Sequence, residues 1–185
     1  MTNRSIGGYL ARTISRKRAE ILTASSDVLK SSGLTDWSIE ACARRAHCVK
    51  GLVIHYFGSR EALLRGSAAA LTAERAERWR RSLRVAGIGA LDLLWEDLAA
   101  AARDGSGRAL LELRLAGVIG ANLPPTDQQG NADGLARALE VASRELPIPA
   151  AIEPILEGYL IALIGGADQE GVREAFFRYW LSYVK

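Results

Sequence analysis

The sequence predicts an all-α protein of about nine helices, the first three of them arranged as a helix-turn-helix unit. Three observations carry that prediction. Apolar residues recur at helical spacing along nearly the whole chain, no stretch of useful length alternates in the manner of a strand, and capping residues stand where the apolar runs begin. With 49% hydrophobic and 24% charged residues, the 185-residue chain has the composition of a folded globular protein rather than a disordered one.

The elements follow in order. Residues 16–31 place Ile21, Leu22, Ser25, Val28 and Leu29 on one face, with Ser15 as the expected N-cap and Gly33 as the stop. Ser38 is the expected cap of a short second helix, with Glu40 in the first turn, where the helix dipole favours an anion. Trp37, just ahead of that cap, is placed to fold onto Cys42 as a hydrophobic staple. A break at "AHC" precedes a helix from about 49 to 57, and Ser59 caps a fourth that runs to about 84. Helices are expected over 88–103 and 107–121, separated by "DGSG". The stretch "GANLPPTDQQGNADG" (120–134) reads as a loop, followed by a helix over 134–145 and the punctuation "LPIPA". The last two helices, about 150–164 and 168–184, are hinged at "GGAD", and Pro154 either sits in a first turn or kinks its helix.

Those last two helices are apolar nearly all round, so they must be covered nearly all round. Ile152, Ile155, Leu156, Tyr159 and Leu163 form one stripe, and Phe176, Tyr179, Trp180 and Tyr183 form another. Their cover is either a second copy of the chain, as a four-helix interface across a two-fold axis, or the chain's own domain.

Several function classes are disfavoured at once. No uninterrupted apolar stretch reaches the roughly 18–20 residues of a membrane span, and no signal peptide is recognisable, so a cytoplasmic location is expected. Two cysteines in a chain of this size fit a reducing compartment. Cys42, His47 and Cys48 are metal-capable types, but no fourth ligand is evident, and small buried hydrophobes explain both thiols; no metal is expected. No nucleophile has an evident base partner, so an enzyme is not expected either, nor a cofactor beyond an unknown small-molecule effector. The net charge of +3 is unevenly divided. Residues 1–60 carry ten Lys/Arg against four Asp/Glu, which points one end of the molecule at a polyanion.

In a helix-turn-helix the second helix lies in the major groove of DNA. At 100° per residue, Val53 and Phe57 fall together and face inward, while Gly51, Leu52, His55 and Tyr56 sweep the outer side. Glycine permits close backbone approach, Leu52 suits a thymine methyl, and His55 and Tyr56 carry donors for phosphates or base edges.

The run "SIEACARRAHCVKGLVIHYFGSREALL" (38–64) resembles the DNA-binding signature of the TetR family of bacterial transcription regulators. The matching positions are Ser38, Ile39, Ala43, Ala46, Lys50, Gly51, Val53, Tyr56, Phe57, Ser59, Arg60, Glu61 and Leu63, with no gap. The resemblance implies that Ser38 touches a phosphate, that Lys50, Gly51, Leu52 and His55 face the groove, and that Tyr56 and Arg60 hold the DNA backbone. A basic arm (Arg4, Arg12, Arg16, Lys17, Arg18) either adds phosphate or minor-groove contacts or is a frayed, solvated tail. Three departures stand out: His47 for the family's turn glycine, Val49 for its capping serine, and Ile54 for its groove-edge tyrosine.

The resemblance further implies two domains: 1–60 for DNA and 61–185 for effector binding and dimerisation. Expected effector residues are Trp79, Trp95, Leu98, Leu113, Arg114 and Val118, with Glu112 and Asn122 as further polar anchors. The expected function is a ligand-responsive repressor, homodimeric on a palindromic operator of double-stranded DNA. The alternative is a helical interaction protein on the same scaffold with weakened operator binding.

Overall fold

The computed structural model describes residues 3–85, 87–119, 128–139 and 149–183, and among these it has nine helices and no strand. They are α1 (Asn3–Ser32), α2 (Ile39–Arg45), α3 (Lys50–Phe57), α4 (Arg60–Ser82), α5 (Gly89–Arg103), α6 (Ser106–Leu115), α7 (Gln128–Leu139), α8 (Pro149–Ile164) and α9 (Gln169–Leu181).

The local chemistry that starts and stops these helices is largely the chemistry the sequence announces. Ser38 and Ser59 adopt extended backbone and accept hydrogen bonds at 3.1 Å from the N–H groups of Ala41 and Ala62, which caps α2 and α4. Asp168 caps α9 in the same way, accepting from the Gly171 N–H at 2.7 Å. Gly33 closes α1 at φ +77°, its N–H bonded back to the Leu29 carbonyl at 3.0 Å.

Ser15 is no cap: α1 starts upstream at Asn3, and Arg16 and Lys17 pair with Glu20 inside the continuous helix. The sixth helix ends at Leu115 rather than 121, because Gly117 takes φ +69° and the Val118 N–H returns to the Leu113 carbonyl, a Schellman closure. The seventh begins inside the expected loop. A Cβ on Gly134 would lie 2.8 Å from Leu83 Cβ, so this glycine serves close packing rather than a turn. Residues 120–127 and 140–145 of those expectations lie outside the described residues. Pro154 sits within α8.

Two apolar cores organise the chain. The first gathers Ile21, Leu29, Trp37, Cys42, Val53, Leu63 and Leu71 from α1 to α4, closed by Ala109, Leu110 and Leu113 of α6. The second gathers Trp79, Leu91, Leu94, Trp95, Leu98, Leu135, Ile152, Leu156, Phe176 and Trp180 from α4, α5, α7, α8 and α9. Helix α4 contributes residues to both. Two glycines permit the tight seams. A Cβ on Gly105 would fall 2.0 Å from the Lys30 carbonyl oxygen, and one on Gly107 would meet Leu160 at 2.8 Å.

Candidate nucleic-acid interface

The turn between α2 and α3 is a Schellman closure with a histidine in its left-handed position. His47 has φ +48°, its N–H bonds to the Arg44 carbonyl at 3.2 Å, and the Cys48 N–H bonds to the Ala43 carbonyl at 3.0 Å. Lys17 of α1 donates to the Ala46 carbonyl at 3.2 Å and ties the end of α2 to the supporting helix. Cys42 is wholly buried, which pushes its thiol above the usual range, and Cys48 packs half-buried beside it.

Trp37 is folded into the first core, as its place ahead of the α2 cap predicts. Its Nε1–H donates to Ser25 Oγ at 3.0 Å, and the Ser67 hydroxyl donates to the same oxygen at 2.7 Å. This buried network joins α1, the α1–α2 turn and α4, and fixes the orientation of the unit.

On α3, Val53 is 1% exposed and Phe57 packs half-buried against the first core. Lys50, Gly51, Ile54 and His55 face solvent, while Leu52 and Tyr56 are half-buried. Tyr56 is more inward than its helical phase predicts: its ring packs against the first core, edge-on to His55 at 5.5 Å. A Cβ on Gly51 would meet nothing within 4 Å, so the chain's own packing does not require glycine there. Val49 stands exposed and offers no cap to the N–H groups that open α3.

Much of the basic surface is already engaged within the chain. Lys50 is ion-paired with Glu40, whose carboxyl is held below the usual range first by that hydrogen bond. Arg60 stacks over the Trp37 ring at 5.0 Å, Arg18 over Phe57 at 4.9 Å, and Arg45 pairs with Asp27 at 3.3 Å. None of these partnerships is legible in linear spacing, because each joins different elements. Arg44, exposed beside Glu40, adds a further positive charge that the resemblance does not single out.

Residues 21–66 match the family model described as bacterial regulatory proteins, tetR family. The chain carries a TetR-family N-terminal domain. Solved structures share the fold over most of the length. A TetR-family transcriptional regulator from Streptomyces coelicolor superposes with a TM-score of 0.65 at 17% identity, over 91% of this chain and 80% of that one. A protein solved to explain control of antibiotic production by bacterial hormones gives 0.61 at 22% identity, over 91% and 95%. The multidrug-binding protein EbrR, complexed with imidazole, gives 0.56 at 21% identity, over 88% and 89%. No curated protein sequence matches the chain. The family match is confined to the N-terminal residues 21–66, and over most of its length the chain shares the fold of the solved TetR-family regulator. No helix among the described residues is long and apolar enough to cross a membrane.

Behind the TetR-family head, α4, α6 and α8 enclose a small cavity of about 10 Å³, lined by Thr72, Arg75, Ala76, Trp79, Leu110, Arg114, Ile119 and Glu153. Of the expected effector residues it brings together Trp79 and Arg114. The others are elsewhere: Trp95 and Leu98 are buried in the second core, Leu113 in the first, and Val118 packs against the first. Glu112 instead accepts from the Leu34 N–H at 2.6 Å, and Asn122 lies outside the described residues. Arg75, Thr72 and Glu153 are the additions. Arg75 sits in the charged run "ERAERWRR", where only its place four residues before Trp79 hints that both share a face.

Arg75 is 7% exposed and stacks on Trp79 at 4.4 Å. Burial pushes its guanidinium below the usual arginine range, with Glu157 and Glu153 opposing. Glu157 lies 3.5 Å from Arg75 Nη1 but bonds closely to Arg114, which also reaches Glu153 at 3.7 Å.

The expected interface residues divide in two. Ile152, Leu156, Phe176 and Trp180 are at most 2% exposed and fill the chain's own second core, so they have no surface left to present. Phe176 alone meets the rings of Trp95, Tyr159, Phe177 and Trp180. Ile155, Tyr159, Leu163, Tyr179 and Tyr183 pack against that core half-buried. Between α8 and α9 an open groove of about 630 Å³ is floored by Ile155, Gly158, Tyr159, Ala162, Gly171, Val172 and Ala175.

Proposed function

We propose that this chain is a repressor that binds a palindromic operator as a homodimer and is controlled by a small molecule held in its interior. Residues 1–60 read DNA and 61–185 bind the effector and dimerise. The observation that carries this reading is the outer face of α3. Lys50, Gly51, Ile54 and His55 are exposed together on a helix whose other side is fixed by Val53 and Phe57, and Gly51 leaves open space that its own fold does not use. Leu52, Tyr56, Ser38 and Arg60 flank that face.

The groove between α8 and α9 supports the dimer. It is mostly apolar and walled by small residues, so apolar side chains from a second copy can pack into it. The cavity beside α4 supports the effector, since the same helix enters the DNA-binding core. EbrR, similar in fold, is a multidrug-binding protein.

A second reading, an interaction protein with weakened operator binding, has its own observation: Lys50 and Arg60 are engaged within the chain and α3 lacks a side-chain cap. Gel shifts against the DNA flanking its own gene, at two salt concentrations, separate the two. A specific shift at low salt that weakens as salt rises, with a dimeric mass by light scattering, is expected. A chain that gives no specific shift at low salt is the interaction protein.

A further inference from the structure

The charged groups around the α4–α6–α8 cavity are balanced in charge but not in hydrogen bonds. Among the described residues, Arg75 and Arg114 face Glu153 and Glu157, two cations against two anions. Glu157 bonds closely to Arg114, and Arg75 Nη1 lies 3.5 Å from the same carboxylate. The Arg75 Nη2 is buried without a hydrogen-bond partner, on a side chain that is one of those lining the cavity. An unmatched buried donor of this kind carries a desolvation penalty that an incoming acceptor relieves.

We propose that the cavity is a receptor site for a small, mostly apolar molecule carrying one uncharged oxygen acceptor, such as a ketone or amide carbonyl, taken by Arg75 Nη2. This rests on the ligand-responsive reading above and names the chemistry of its effector. The charge balance excludes the two ionic alternatives. A carboxylate would bring a surplus negative charge beside Glu153 and Glu157, and an ammonium a surplus positive one beside Arg75 and Arg114, each desolvated without a free counter-charge. A carbonyl satisfies the donor and leaves the balance intact. The rest of the molecule meets Trp79, Leu110 and Ile119, and Thr72 supplies a second polar group. At about 10 Å³ the cavity holds one water, so a ligand must widen it. Arg114, about a third exposed (32%), is the least buried of the four charged groups, whereas Arg75 is held by Trp79.

The test uses three probes of one size on the intact chain: acetophenone, benzoate and benzylamine, by isothermal titration calorimetry. Acetophenone is expected to bind at least about tenfold more tightly than either ion, to lose about tenfold or more in Arg75→Met, and to lose less in Arg75→Gln, which keeps an N–H donor. In the unaltered protein its carbonyl stretch moves to lower frequency on binding, a readout that stands even where a variant fails to fold. Benzoate or benzylamine binding as well as the ketone would overturn the proposal, as would an unmoved carbonyl stretch or an affinity unchanged in folded Arg75→Met. If none of the three binds, the cavity holds a structural water only and the proposal falls. DNA binding is followed in the same samples. A ketone that binds without affecting the DNA complex removes the ligand-responsive function but leaves the site, and an intact DNA complex with no ketone bound does the reverse.

Discussion

Lys50, at the entry to α3, is ion-paired with Glu40 in the first turn of α2. The acid belongs to the dipole chemistry that starts α2, yet it stands on the surface where a phosphate would compete for the same lysine. If α3 reads DNA as proposed, an incoming backbone must displace Glu40 or share Lys50 with it.

Replacing Glu40 by Gln is accordingly expected to strengthen DNA binding and to steepen the dependence of log K on log salt by about one charge. Thermal stability should barely move, because both side chains are at least half exposed (58% and 50%). Affinity measured by fluorescence anisotropy over a salt series checks this. An unchanged slope would mean that Lys50 does not reach phosphate.

His47→Gly should stabilise the fold by about 0.5–1 kcal/mol in a urea melt, since a side chain at φ +48° is strained where glycine is not. The gain is trimmed by the greater freedom of glycine in the unfolded chain. A loss of stability would show that the exposed imidazole makes a contact worth more than the backbone strain.

Gly105→Ala should destabilise far more than Gly58→Ala, although both glycines have φ +77°. At Gly58 the added methyl meets open space and only the conformational strain of about 1 kcal/mol applies. At Gly105 it would lie 2.0 Å from the Lys30 carbonyl, forcing α1 and α6 apart. Parallel thermal melts decide it, and equal losses would mean that the seam gives way freely.

What the sequence makes legible here is local. The caps Ser38 and Ser59, the glycine stop at Gly33 and the inward phase of Val53 are set by residues within a turn or two of one another, and each appears where its spacing predicts. What it conceals is pairing across elements. Nothing near Arg60 in the chain announces Trp37 as its partner, and Lys17 reaches Ala46 only once α1 and α2 are packed. The interior site was half legible for the same reason. Trp79 and Arg114 are conspicuous residue types, but Arg75 lies in a charged run, and only packing by α6 and α8 turns a seemingly solvated arginine into a buried one. Glycines mislead in a specific way: Gly134 reads as loop, yet it sits in α7 because Leu83 needs the room. The apolar stripes of α8 and α9 left two covers open, and Phe176 shows how far an aromatic cluster can be satisfied by its own chain.

The closure of the first core by Ala109, Leu110, Leu113 and Ile119 also sets an order on synthesis. A ribosome that has released α1 to α4 has released every residue of the helix-turn-helix, but not the apolar groups that seal its underside. Until residue 119 has emerged, the first core lacks part of its apolar cover, and the head stays incomplete. The first core of this protein is thus finished only once α6 and Ile119 have been made.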